Sequence, residues 1–159
     1  MKKNIRFILL GELLLFILVF AFNLQMSFGL ANSILFFLDI PSLLLIILIL
    51  IPGLMIMGAW KNFIRSFSVG IKPYSLLELK NIILAVGAAQ KLTILGGLFS
   101  IISSGILVLS KVSNPELIGP NLAVCFLSGL YVAIIEFFLL SLKLNAERKM
   151  NEEMDLDDE

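Results

Sequence analysis

Asn114-Pro115-Glu116-Leu117-Ile118-Gly119-Pro120-Asn121-Leu122-Ala123-Val124, running on through Leu127-Ser128-Gly129-Leu130-Tyr131, is a breaker-rich turn feeding a long apolar helix with small and hydroxyl residues. Pro115, Gly119 and Pro120 argue against a regular element before Leu122. From Leu122 to about Leu142 the only charge is Glu136, and the run is long enough to cross a bilayer as a helix.

Working outward, three more apolar runs of comparable length occupy about Ile5 to Phe22, Ile40 to Trp60 and Thr93 to Ser110. The expected fold is therefore an all-α membrane protein with four transmembrane helices. The first run follows Lys2 and Lys3 and lacks a small-x-small cleavage site, so it reads as a retained signal anchor. Composition agrees: 59% of the 159 residues are apolar and 15% charged, far from the soluble average. Four spans take up nearly all of this length. The expectation is a single four-helix domain over residues 1–150, with residues 151–159 as an acidic, disordered tail.

Orientation follows from the basic residues, which accumulate in cytoplasmic loops. Lys2, Lys3 and Arg6 mark the first span; Lys61, Arg65, Lys72, Lys80 and Lys91 lie between the second and third; Lys143, Arg148 and Lys149 follow the fourth. Only Lys111 falls on the opposite side, so both termini are expected inside. The formal net charge of +0 hides this asymmetry, because the acidic tail balances the basic inner segments.

The inner loop, residues 61–91, carries its own signal. After Pro73, Ser75-Leu76-Leu77-Glu78 has capping-box spacing, and no proline follows until Pro115. One helix is predicted from about Leu76 to Ser110, roughly 50 Å at 1.5 Å per residue. Its first part, with Glu78, Lys80, Asn81, Gln90 and Lys91, would project into the cytoplasm, and the fourth helix would also overrun the inner surface toward Lys149.

Gly96, Gly97, Ser100, Ser103 and Ser104 recur at helical spacing in the third span; Cys125, Ser128, Gly129, Val132, Ala133 and Glu136 do so in the fourth. One reading is close helix packing. The other is that the two stripes face each other across a hydroxyl-lined path for a proton or cation.

The opening turn and helix resemble the loop and last membrane helix of the MotA branch of the MotA/TolQ/ExbB family, in which a DP-x-x-IGP-x-LA turn precedes an LLTTLYG helix. Phe37-Leu38-Asp39-Ile40-Pro41-Ser42-Leu43 is similar to the F-I-D-x-P-S that opens that family's second span. Pro41, Ser42, Pro115, Gly119 and Pro120 are the motif positions, and the matches frame the region from Phe37 to Leu144. The resemblance implies a bacterial plasma-membrane subunit that forms a homo-oligomeric ring, a pentamer in the family. That ring would surround single-span partners of the MotB/ExbD/TolR kind, with protons or sodium ions passing the partner's membrane aspartate. Ser100 stands where a third-span threonine hydroxyl would be, and Ser128-Gly129 replaces the fourth-span threonine pair. The family's proline is missing from Lys91-Leu92-Thr93-Ile94-Leu95, and Leu45-Ile46-Ile47 replaces its glycines. The large cytoplasmic domain of flagellar stator subunits is reduced to residues 61–91. A non-conducting scaffold or accessory subunit of the same fold is the alternative, and a coincidental match the third reading.

Acidic residues inside apolar runs are functional suspects, because an intramembrane charge is costly. Glu12 and Glu136 are both placed toward the inner surface, Glu12 with Arg6 nearby and Glu136 with Lys143 on the same helical face. Ser100, Ser128 and Glu136 are the ion-path candidates; Gly96, Gly97, Ser103, Ser104, Gly129 and Ala133 are expected to pack or line that face. Asp39 is expected at an outer mouth, leaving no aspartate inside a span.

Other chemistries find little support. With no histidine there is no imidazole base or ligand, and the single Cys125 forms neither a disulfide framework nor a metal cluster within one chain. The glycine pairs lie in spans and lack a phosphate-loop Gly-Lys-Ser/Thr. Nucleic-acid binding is not expected from basic residues that only flank membrane helices. No enzyme activity and no cofactor are expected. Trp60 and Tyr74 suit an interfacial aromatic belt.

Overall fold

A computed structural model describes residues 5–27, 39–110, 116 and 118–157. Among the described residues five helices follow in order: α1 (Ile5–Ser27), α2 (Ile40–Ile56), α3 (Trp60–Ser66), α4 (Leu76–Ser110) and α5 (Ile118–Asp157). The described residues are all-helical apart from turns and an isolated bridge between Val69 and Lys72. By length and composition, α4 and α5 can each cross a membrane, and α2 with α3 makes a third crossing if the bent pair is one broken span rather than a re-entrant loop. The chain is a helical membrane protein.

The predicted long helix is present with the predicted ends: α4 runs 35 residues from Leu76 to Ser110. Its start is the capping box. The Ser75 amide donates to Glu78 Oε2 at 3.1 Å, while the Glu78 amide donates to Ser75 Oγ at 3.3 Å. Glu78 also accepts from Arg65 Nη1 at 3.3 Å, tying α3 to the same point. Both side chains of that ion pair are over 30% exposed, so it orients the turn more than it stabilises it.

The second expected span, Ile40 to Trp60, is shorter than the sequence suggested. Helix α2 ends at Ile56 after 17 residues, and α3 leaves it at 112°. The cause is a glycine-centred cap: Gly58 adopts φ 65°, its amide donates to Met55 O at 3.0 Å, and the Ala59 amide donates to Leu54 O at 2.9 Å. Only glycine occupies that left-handed position at little cost. A second positive φ, 87° at Gly70, turns the chain between α3 and α4. There Ser68 Oγ and Tyr74 OH lie 2.7 Å apart, and Asn145 Nδ2 of α5 donates to Val69 O at 3.3 Å. Tyr74 thus closes a turn as well as suiting an interface.

Helix α5 is longer than expected at both ends, 40 residues from Ile118 to Asp157. Gly119 and Pro120, expected in the turn, lie in its first turn, where a proline forfeits no intrahelical bond. Residues 151–157, expected to be disordered, are helical. Lys149 Nζ lies 2.8 Å from Glu153 Oε1, Arg148 Nε 3.4 Å from Glu152 Oε1, and Lys143 Nζ 3.9 Å from Glu147 Oε1, all at i,i+4 spacing. Each such pair supports an exposed helix by about 0.2–0.5 kcal/mol. Pro115 and Lys111 lie outside the described residues, as do Lys2, Lys3 and the Phe37-Leu38 half of the second motif.

The best-packed part of the described chain is the Leu79-to-Ala89 part of α4, with α5 and α3 against it. Leu79, Ile82, Val86 and Ala89 of α4 form one buried cluster with Phe63 of α3 and Leu139, Leu142 and Ala146 of α5. From there α4 and α5 continue side by side, and their seam carries the candidate residues.

Candidate functional site

Helices α4 and α5 run antiparallel. Their register is fixed by Gly97 against Val132, Ser100 against Ser128 and Ile101 against Cys125. Ser100 Oγ and Ser128 Oγ are 2.8 Å apart, with the residues 2% and 0% exposed. Ser128 Oγ in turn donates to Val124 O at 3.0 Å, one turn back in its own helix. Because Ser128 has a single hydroxyl proton, Ser100 is the donor in the serine pair. Both protons are then used, and the pair closes on itself. Cys125 Sγ adds a weak contact to Ile101 O at 3.8 Å.

The two sequence stripes therefore do meet, but not as a single lined face. A Cβ on Gly97 would collide with Val132 Cγ2, so Val132 fills the seam one turn inward of the serine pair. Gly96 points elsewhere: a Cβ there would stand 3.1 Å from Ile46 Cα, so its missing side chain lets α2 approach α4 at backbone distance. Ser42 of α2 and Ser104 of α4 are buried, and Ser103 is half-buried. Ala133 is exposed, and nothing lies within 4 Å of a Cβ on Gly129, so Gly129 makes no close approach to another part of this chain. Pro41, Gly119 and Pro120 are exposed at helix starts.

Several polar atoms around the seam are buried without a partner. These are Thr93 Oγ1, on a residue of 0% exposure, Glu136 Oε1, Glu12 Oε2 and Asp39 Oδ2. Thr93 lies two turns before Ser100 on the same face of α4, and Gln90 reaches the Glu136 side chain across the seam. Sequence reasoning passed over Thr93, although its i,i+7 spacing to Ser100 was available. Glu12 Oε1 accepts a hydrogen bond from Ser141 Oγ of α5; the Arg6 side chain, expected nearby, lies outside the described side chains. Phe16, one turn along α1, meets Phe137 and Phe138 at ring-centroid distances of 5.3 and 5.6 Å.

Asp39 stands at the start of α2. Its amide donates to Tyr131 OH at 2.7 Å, and Tyr131 is thirteen residues, roughly 20 Å, into α5 from Ile118. The start of α2 is thus tied to the middle of α5, through a tyrosine one turn from Ser128 on that helix. Among the described residues no group of three or more acidic or cysteine side chains could hold a metal ion. No family model, no curated protein and no solved structure matches the chain.

Proposed function

We propose that this chain is a ring-forming subunit of a MotA/TolQ/ExbB-like membrane assembly, and that its α4–α5 pair is a structural strut rather than the lining of an ion path. The observation that carries the strut is the buried serine pair, whose two protons are satisfied within the chain. A hydroxyl that is to replace water around a moving ion has to face that ion. These do not. The assembly part of the reading rests on the IGP-x-LA turn, the F-L-D-I-P-S segment and the long α4 and α5 helices that overrun a bilayer.

In this reading α1 and α2 also span, giving four crossings with both ends in the cytoplasm of a bacterial inner membrane, because eleven of the twelve basic residues lie on that side. The ring, a pentamer by resemblance, surrounds single-span partner helices of the MotB/ExbD/TolR kind.

A second reading, an ion-driven channel or motor subunit, is favoured by the orphaned oxygens of Asp39, Thr93 and Glu136, which sit where a cation or water would satisfy them. Co-expression with a single-span partner, native mass spectrometry and liposome flux separate the two. The strut predicts a homopentamer that captures partner copies, in which Ser100→Ala weakens assembly and leaves cation leak unchanged. Altered leak in Ser100→Ala, Glu136→Gln or Asp39→Asn supports the channel, and a monomer indifferent to partners refutes the assembly itself.

A further inference from the structure

Where α1 would otherwise meet α2 and α3, the molecule has an open groove of about 460 Å³. Leu9 and Leu13 of α1, Leu50 of α2, Phe63 and Phe67 of α3 and Leu139 of α5 line it, and every other lining side chain is also apolar. Voids in packed interiors are rarely larger than a water molecule, whereas this volume falls in the range of ligand pockets. An apolar space of that kind does not hold water. In a bilayer the available filler is hydrocarbon.

The geometry of α3 says which hydrocarbon. Turned 112° from α2, α3 directs Phe63 and Phe67 into the groove. At 100° per residue, Lys61 and Arg65 fall on its opposite side. Aromatic rings inward, cations outward and Trp60 at the bend is the pattern of a segment lying at headgroup level. Arg65 is engaged by Glu78, but Lys61 is exposed and makes no ion pair among the described residues. We infer that the groove holds one acyl chain of an anionic phospholipid, whose phosphate lies at the level of α3 against Lys61. The acyl chain would lie between α1, the α2–α3 bend and α5, beside the Glu12–Ser141 and Phe16 contacts that hold α1 to α5. This rests on the membrane setting alone and is independent of the assembly reading.

The test is native mass spectrometry of the full chain after exchange into lipid-free detergent, with bound lipids identified by mass. The expected result is one retained phospholipid per chain, enriched in anionic headgroups relative to the source membrane. Leu13→Trp and Leu10→Trp, each at a lining position that is 49% and 60% exposed respectively, should cut the lipid-bound fraction at least tenfold without changing thermal stability. Lys61→Gln should keep a lipid bound but abolish the anionic enrichment. Detergent adducts only, equal lipid retention in wild type and both tryptophan variants, or unchanged headgroup preference in Lys61→Gln would each overturn the inference.

Discussion

Val132 of α5 occupies the space that a side chain at position 97 of α4 would need. The seam between the two longest helices is therefore closed by a β-branched side chain resting on a glycine, one turn inward of the Ser100–Ser128 hydrogen bond. That relationship makes the helix pair a close-packed unit, and it separates the orphaned Thr93 and Glu136 from the serine layer.

Gly97→Ala should destabilise the α4–α5 pair by about 1–3 kcal/mol through overpacking. Val132→Ala in the same chain should recover most of that loss, because the clash is with a side chain. Gly96→Ala meets the Ile46 backbone at 3.1 Å, and no side-chain truncation should rescue it. Unfolding titrations in mixed micelles read both results; equal rescue at both positions would contradict the two different faces.

The serine pair should behave as a coupled unit. Ser100→Ala or Ser128→Ala should each cost on the order of 1 kcal/mol, and the double variant less than the sum, since interhelical hydrogen bonds in membrane proteins average about 0.6 kcal/mol. Strict additivity in a double-mutant cycle would mean that the hydroxyls do not bond in the membrane.

Gly58→Ala should strain the bend between α2 and α3 by about 1–2 kcal/mol, because φ 65° is disfavoured for a residue with a Cβ. A spin-label distance between the outer end of α2 and α3 is expected to broaden or lengthen. Gly11→Ala, where nothing lies within 4 Å of the new methyl, is the control and should leave stability unchanged or raised.

The end of α5 should respond to alkaline pH. The Glu153 carboxylate hydrogen-bonded to Lys149 raises its ammonium above the usual lysine range, with Glu152 adding to this. A raised folded-state value means that the contribution is complete below the unfolded lysine value and is lost as pH rises through the folded one. Carbon chemical shifts of residues 150–157 should thus stay helical through neutral pH and move toward coil only at strongly alkaline pH. Lys149→Met should bring that fraying to neutral pH; a tail that stays fully helical in that variant would show that the ion pairs are incidental.

Much of the helical frame was legible locally. Ser75 and Glu78 declare the start of α4 because a capping box is satisfied by residues three apart, and an unbroken run without proline carries it to Ser110. Spacing placed Ser100 and Ser128 on two small-residue stripes expected to pack or to line a path; their hydrogen bond to each other was decided by how α4 and α5 pack. Local signals were present but underweighted at Gly58, whose helix-ending cap shortens α2, and at Lys149 and Arg148, whose acidic partners lie one turn on and keep the tail helical.

Composition and periodicity determined that the chain is helical and membrane-embedded, and where α4 begins and ends, because those properties depend on neighbours within a few residues. Only the tertiary structure decided that Gly96 and Gly97 serve different helices, that Val132 closes the seam, that Glu12 turns to Ser141, and that Asp39 lies beside Tyr131 deep along α5. Each of these depends on the relative height and rotation of helices far apart in sequence. A shift of one residue turns a helix by 100° and raises it 1.5 Å, enough to exchange a buried partner for an exposed one, and no local pattern encodes that choice.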